Sequence, residues 1–274
     1  MSEKDIKFTV FTKPWRMPVK ELAGYVKNLG FDGVELPIRE GYQVVPEEIE
    51  KLKDVVKIFA DCGLTVPSIA PLGKIDERVL SACREARVDI IRQCIRIPAG
   101  TGYMKMMEKV WKEFDELVPL LDKYGVRIGI QNHCDLFVCN AMGIRYLIER
   151  YNPKHFCAVW DPMHCALNGE DPRLAVDILW SHLGMVNLKN AYWRRKTGTE
   201  AEYVRWGWYA TSGRQGLASW PLVAKVLKEY GYNGVVCLTA EYTDEASVDR
   251  LIKEDIEFAR LCFADNNGLD IPEE

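Results

Sequence analysis

The stretch Val19–Leu36, VKELAGYVKNLGFDGVEL, contains one complete unit of the pattern that decides the fold. Four apolar residues in its first half lie at helical spacing: Leu22, Tyr25, Val26 and Leu29. This spacing predicts an amphipathic helix. Gly30 follows it, and glycine is common after the last turn of a helix because it tolerates a positive φ. The run GVEL, residues 33–36, then predicts a short strand.

The same unit recurs along the chain. Eight short apolar or β-branched runs predict strands at Lys7–Phe11, Gly33–Leu36, Thr65–Ile69, Ile90–Ile95, Arg127–Gln131, Phe156–Trp160, Gly184–Leu188 and Gly234–Ala240. Helical patterns lie between them, including residues 47–62, 111–124 and 220–230. Mostly apolar strands are typical of parallel sheets covered on both faces. Eight strand–helix units in roughly 250 residues predict a (β/α)₈ TIM barrel.

No Pro-, Gly- or Ser-rich linker divides the chain, so residues 1–274 are predicted to form one domain. Within it we expect a long loop at 191–219, after the seventh strand, and a solvated C-terminal tail at 264–274. A doubly wound open sheet is the alternative fold. It is disfavoured because no G-x-G-x-x-G follows the first strand and no G-x-x-x-x-G-K-[ST] occurs anywhere.

The composition excludes several classes of partner. The 274 residues include 48% hydrophobic and 28% charged residues, a balance typical of a globular protein with a large core. The formal net charge of −4 gives no general attraction to nucleic acid or to an anionic membrane surface. No apolar run approaches the roughly 18 residues that a membrane helix needs.

The N-terminus and the cysteines indicate a cytoplasmic protein. The start MSEKDIKFTV lacks the apolar core of a signal peptide. Nine cysteines, odd in number and without a C-x-x-C pair, indicate reduced thiols. The same spacing argues against a structural zinc site.

In a TIM barrel the chemistry takes place at the C-terminal ends of the strands. Polar and aromatic side chains predicted at those ends are Lys13, Trp15, Arg16, Glu35, Arg39, Arg96, Gln131, His133, Asp161, His164, Asn187, Lys189 and Glu241. Two other histidines, His155 and His182, lie on helix-to-strand approaches and are expected to be structural. The candidate site is therefore drawn from the first group.

Five phrases, in this order, carry a family resemblance: GFDGVEL (30–36), QNH (131–133), DPMH (161–164), NLKN (187–190) and GRQGLASWPLVAKVLKEYGYNGVVCLTAEY (213–242). The chain resembles the sugar isomerase/epimerase branch of the xylose isomerase-like TIM barrels over most of its length. The resemblance implies an isomerase or epimerase of a small carbohydrate or polyol derivative.

The resemblance also implies a divalent cation held by Glu, Asp, His and Glu on strands 5 to 8. Asp161 and Glu241 match two of these positions, whereas Gln131 and Asn187 stand where the first Glu and the His are usual. The formal charge of the set falls from −3 to −2 and every donor becomes oxygen. Such a set suits weakly bound Mg²⁺ or Mn²⁺. The alternative is no metal, with Lys189 lying across Asp161 and Glu241 as an internal cation.

Proton transfer next to a carbonyl needs a carboxylate base and a group that stabilises the enediolate. We assign the base to Glu241, the stabilising role to Lys189 or the metal, and substrate positioning or reprotonation to His164. Each has a structural alternative: Glu241 as a cap, Lys189 as an ion-pair partner, His164 as a helix-terminal residue. Expected substrate-binding residues are Lys13, Trp15, Glu35, Arg39, Arg96, His133, Trp193 and Arg214.

Lys13, Arg39 and Arg96 hint at an anionic substrate such as a sugar acid or sugar phosphate. The aromatic and arginine side chains of the 191–219 loop fit either a substrate-binding lid or a subunit contact in a homo-oligomer. Two other functions stay open. One is a lyase that uses the same enediolate to expel a β-leaving group, and the other is a non-catalytic sugar-binding or partner subunit that has lost its metal.

Overall fold

Ten strands are present in the computed structural model, which describes residues 6–264. They are β1 (Lys7–Phe11), β2 (Gly33–Ile38), β3 (Thr65–Pro71), β4 (Ile90–Gln93), β5 (Arg127–Gln131), β6 (Phe156–Trp160), β7 (Leu183–Leu188), β8 (Asn190–Arg195), β9 (Trp206–Thr211) and β10 (Val235–Leu238). Eight of them are parallel and close into a barrel in the order β1-β10-β7-β6-β5-β4-β3-β2. The predicted TIM barrel is confirmed. The expected solvated tail lies outside the described residues from position 265 onward.

Helices surround the barrel. They are α1 (Val19–Asn28), α2 (Leu52–Asp61), α3 (Glu77–Ala86), α4 (Tyr103–Tyr124), α5 (Ala141–Ile148), α6 (Pro162–Leu167), α7 (Pro172–Leu179), α8 (Trp220–Glu229) and α9 (Val248–Phe263). Several begin at a side chain that accepts a hydrogen bond from the first turn, as Ser219 does from Leu222 N. Within residues 6–264, no helix combines the length and apolar character needed to cross a bilayer.

Side chains alternate along each barrel strand, so every second residue points into the barrel. The lower interior is apolar and contains Phe11, Ile90, Val159, Met185 and Cys237, all at most 2% exposed. Space there is tight, because a Cβ on Gly129 would lie 2.6 Å from Cγ2 of Val159. The next inward positions along these strands are polar. An apolar floor therefore lies beneath a polar layer at the C-terminal mouth.

The segment 191–219, expected to be a loop, contains most of an antiparallel hairpin formed by β8 and β9. Trp193 pairs with Trp208 and Tyr192 with Tyr209 across the two strands. Aromatic side chains favour strands, because cross-strand pairs pack well. Near the hairpin tip Tyr203 is 75% exposed. The two alternatives for this segment, a substrate-binding lid and a subunit contact, both stay predictions.

Candidate active site

A cavity of about 740 Å³ opens at the C-terminal mouth of the barrel. Its walls include Lys13 and Trp15 after β1, His133 after β5, Lys189 after β7 and Glu241 after β10. Three of these side chains point inward because they lie an even number of residues after an inward-facing strand residue. His133 follows Gln131 by two residues, Lys189 follows Asn187 by two, and Glu241 follows Cys237 by four. The hairpin adds Trp208 to the wall.

A line of alternating charges crosses this cavity. Nζ of Lys13 lies 2.5 Å from Oε1 of Glu241. Nζ of Lys189 lies 3.4 Å from Oε2 of Glu241 and 3.3 Å from Oδ2 of Asp161. Asp161 is fully buried and the Lys189 side chain is 9% exposed, whereas that of Lys13 is 42% exposed. Lys189 is therefore the inner cation of the site and Lys13 the outer one.

The charge network continues beneath the cavity. Nε2 of Gln131 donates to Oδ2 of Asp161 at 2.7 Å. Nη1 of Arg92 donates to Oε1 of Gln131 at 2.5 Å. Arg92 also forms a bidentate pair with the buried Glu35 carboxylate, at 2.9 Å from Nε to Oε1 and 2.7 Å from Nη2 to Oε2. Three cations and three carboxylates therefore balance in one connected set.

Burial and neighbouring charges set the protonation of these groups. Burial would raise the pKa of Glu241, but Lys189 and Lys13 outweigh it and lower that pKa to about 2. Burial raises the pKa of Asp161, against the opposing effect of Lys189. Burial would lower the pKa of Lys189, yet Asp161 and Glu241 hold it above its ordinary value. Glu241 and Lys189 are therefore both charged at neutral pH.

The four residues expected to hold a divalent cation do not fit one in this arrangement. The carbonyl oxygen of Gln131 faces Arg92, and its NH₂ faces Asp161. Flipping the amide would set its NH₂ against a guanidinium and its oxygen against a carboxylate, so the neighbours fix its orientation. Nζ of Lys189 lies between Asp161 and Glu241. Within the described part of the chain, neither side-chain polar atom of Asn187 has a hydrogen-bond partner.

Two histidines contact each other beside Asp161, with their rings tilted by 35°. The rings of His133 and His164 are 4.0 Å apart between centroids. Nε2 of His164 is 3.7 Å from Oδ2 of Asp161. Burial, reinforced by Lys189, lowers the pKa of His164 well below its ordinary value, so the ring is neutral at pH 7. With Cys134, the two histidines form a candidate metal-binding group whose ligand atoms all lie within 4.8 Å of one another.

The remaining expected substrate-binding residues lie away from the cavity wall. Arg39 lies over the Phe11 ring, and Arg96 pairs through its backbone with Phe137. Trp193 donates from Nε1 to the Leu167 carbonyl. Arg214 lines a second cavity of about 360 Å³. Glu35 is completely buried against Arg92. Their assignment to substrate binding stays a prediction.

Sequence reasoning did not single out two residues of the site. Arg92 lies inside an apolar strand, two residues after the inward-facing Ile90. An arginine at such a position is itself a signal of a buried ion pair. Cys134 becomes a candidate ligand only through its distance to His164, which lies 30 residues along the chain. Trp208 is one of the aromatic side chains that the sequence offered from the 191–219 segment, and the structure places it on the cavity wall.

Comparison with known proteins places the fold. Residues 23–262 match the family model of the xylose isomerase-like TIM barrel. The structure resembles 3-keto-D-glucoside 4-epimerase from E. coli at a TM-score of 0.72 and 15% identity, covering 94% of this chain and 100% of that one. It resembles D-psicose 3-epimerase from Clostridium cellulolyticum H10 at a TM-score of 0.69 and 14% identity, covering 94% and 99%.

A third similar structure is the probable 3-DHS dehydratase of Bacillus anthracis, at a TM-score of 0.69 and 11% identity, covering 92% of this chain and 98% of that one. No curated protein matches the chain in sequence. At these identities the solved structures establish the shared fold alone. The family model, which spans most of the chain, establishes more: this protein belongs to the xylose isomerase-like TIM barrel family.

Proposed function

We propose that this protein isomerises or epimerises a small carbohydrate or polyol derivative by proton transfer next to a carbonyl. One observation carries the proposal. The Glu241 carboxylate and the Lys189 ammonium line the same cavity 3.4 Å apart. A carboxylate beside a fixed cation is the pair that this chemistry needs, because negative charge moves from the base to an oxygen of the substrate.

Glu241 and Lys189 have complementary roles in the step. Glu241 takes the proton from the carbon next to the carbonyl, and the C–H electron pair becomes the new C=C bond of an enediolate. The carbonyl oxygen takes the negative charge, and Lys189 donates a hydrogen bond to it. Protonation of the same carbon from its other face gives an epimer; solvent water supplies that proton, and Glu241 releases its own proton to solvent. Return of the proton from Glu241 to the neighbouring carbon, with a proton shift between the oxygens, gives an isomer.

In this proposal Lys13 controls the basicity of the Glu241 carboxylate. A carboxylate with a pKa of about 2 is a weak base at neutral pH. Half-exposed Lys13 is one of the three cations responsible, with Lys189 and Arg92. A substrate oxygen that draws Lys13 away from Glu241 raises the basicity of Glu241 when the substrate is bound. Arg16 also lines the cavity, which favours a substrate with an anionic or oxygen-rich end.

The structural relatives support this reaction class and keep one alternative in view. Two of them are named as sugar epimerases, acting on 3-keto-D-glucoside and D-psicose. A third is named as a dehydratase. If the substrate carries a leaving group β to the abstracted proton, the same enediolate expels it, and the enzyme acts as a lyase.

The test is incubation of the full chain in D₂O with a substrate panel. The panel holds D-psicose, D-tagatose, L-ribulose, a 3-keto-D-glucoside and 3-DHS, and NMR and mass spectrometry follow deuterium at carbon and new products. The proposal expects deuterium incorporation with an isomeric product. Loss of water or of an aglycone instead identifies a lyase. Binding of a panel sugar without any exchange at carbon contradicts the proposal and favours the non-catalytic sugar-binding function.

A further inference from the structure

We propose that His133, Cys134 and His164 form a binding site for a transition-metal ion of the Zn²⁺ type. This site is distinct from the four-residue oxygen set on strands 5 to 8 and does not rest on the proposed function. His133 and Cys134 follow β5, and His164 lies in the first turns of α6. Two imidazole nitrogens and one sulfur favour Zn²⁺, Co²⁺ or Cu²⁺ over Mg²⁺ and Mn²⁺.

The spacing of the three residues is close to that of a metal site. Their ligand atoms all lie within 4.8 Å of one another. Zinc bonds of about 2.0–2.3 Å in a tetrahedron place neighbouring ligand atoms roughly 3.3–3.8 Å apart. A contraction of at most about 1–1.5 Å therefore brings the three protein ligands to zinc-binding distances and leaves a fourth position open.

Both histidines are prepared for metal binding. Nδ1 of His133 donates to the carbonyl of Cys134 at 2.8 Å, which leaves the lone pair on Nε2 free to bind a metal. His164 is 0% exposed, and neither of its ring nitrogens has a hydrogen-bond partner among residues 6–264. A buried polar nitrogen left without a partner is costly, and this applies to the lone-pair nitrogen of His164 as well as to its N–H. A metal on one nitrogen satisfies the acceptor side of this ring.

A charge is available on each side of the site. Cysteine binds a metal as a thiolate, so metal binding at Cys134 releases the thiol proton. Asp161, 3.7 Å from Nε2 of His164, offsets the positive charge of Lys189 beside the ion.

His133, one of the three proposed ligands, lines the mouth cavity, so an open fourth position beside His133 would adjoin that cavity. Sites with three protein ligands and one open position are typical of zinc that binds water or substrate, whereas structural zinc sites are closed. The geometry therefore points to an ion that reaches the same cavity as Glu241. The spacing of the cysteines along the sequence disfavours a closed, structural zinc site and does not bear on a site with an open position.

The test is a titration of the full chain with Co²⁺ and then Zn²⁺, followed by calorimetry and near-ultraviolet absorption. We expect one equivalent of Co²⁺, a thiolate-to-cobalt charge-transfer band, and displacement by Zn²⁺ but not by Mg²⁺. Cys134→Ser should remove the charge-transfer band. His164→Asn removes a ligand and should weaken metal binding by at least about 100-fold, because loss of a residue that only supports a ligand already weakens it by up to about that factor. The matched controls Cys139→Ser and His155→Asn leave both signals unchanged.

X-ray absorption of the wild-type zinc protein gives a result that does not depend on how the variants fold. One sulfur and two imidazole nitrogens in the shell support the site. A shell without sulfur, or a cobalt band that persists in Cys134→Ser, overturns it. Because these readouts do not involve turnover, their failure is distinguishable from failure of the proposed proton transfer.

Discussion

Replacement of Lys189 by methionine removes the ammonium between Asp161 and Glu241 while keeping an unbranched side chain. Glu241 still has Lys13 at 2.5 Å as a counter-charge. Only one of the two carboxylates that contact Lys189 therefore loses its cationic partner. That carboxylate is Asp161, which is 0% exposed. Leaving one buried charge of an ion pair without its partner costs about 3–5 kcal/mol. Gln131 still donates to Asp161 at 2.7 Å, so we expect the lower end, about 3 kcal/mol.

The loss should depend on pH with a defined sign. Burial already raises the pKa of Asp161, and removal of Lys189 raises it further. The folded state then holds a proton that the unfolded state has lost, so the free energy of unfolding falls as pH rises. The fall begins near pH 4 and continues to the folded-state pKa, at up to about 1.4 kcal/mol per pH unit.

Urea denaturation of wild type and Lys189→Met, followed by circular dichroism at several pH values between 4 and 8, measures both effects. Lys154→Met is the matched control, because Lys154 pairs with Asp122 at the exposed surface and such pairs contribute little. Asp161→Asn in the Lys189→Met background should recover stability at high pH. A pH-independent loss no larger than that of the control would refute an internal cation at Lys189.

Three further changes test other parts of the site. Lys13→Ala removes one of the three cations that hold the pKa of Glu241 near 2, so the acid limb of the kcat/KM profile should move to higher pH, toward the ordinary value of 4.5. An unchanged acid limb would separate Lys13 from Glu241. Arg92→Met leaves the buried Glu35 carboxylate without its cationic partner. The free energy of unfolding, measured in urea, should fall by about 3–5 kcal/mol. A fall of less than about 1 kcal/mol, as for an exposed pair, would contradict a buried ion pair. Trp208→Ala removes an aromatic wall of the cavity and should raise KM more than it lowers kcat, while equal loss in both would argue against a binding role.

The barrel was predictable because its signals are local. Each strand is a short apolar run. A segment with apolar residues at helical spacing follows it, and a glycine often comes directly after that helix. The positions of Asp161 and Glu241 followed from the strand ends in the same way. The lengths were less predictable: β4 ends at Gln93, before the expected Ile95, because its pairing with β5 ends at Gln93 and Ile130 although the apolar pattern continues.

The chemistry of the site depends on contacts between distant parts of the chain. The orientation of Gln131 is set by Arg92 and Asp161, which lie 39 and 30 residues away. A sequence shows that an amide replaces a ligand, but not which end of the amide faces the site. For the same reason the sequence left the role of Lys189 open, because its contacts with Asp161 and Glu241 exist only in the folded chain. The cytoplasmic location and the homo-oligomer stay predictions.

The most direct test of the account is the rate of solvent-deuterium incorporation at the reacting carbon of a panel sugar, compared between wild type, Glu241→Gln and Glu245→Gln. Glu245 lines the same cavity and therefore controls for loss of an acid at the mouth. We expect Glu241→Gln to slow deuterium incorporation by at least about 100-fold. The Glu245→Gln variant should incorporate deuterium at the wild-type rate. Exchange at the wild-type rate in Glu241→Gln would contradict the assignment of the base.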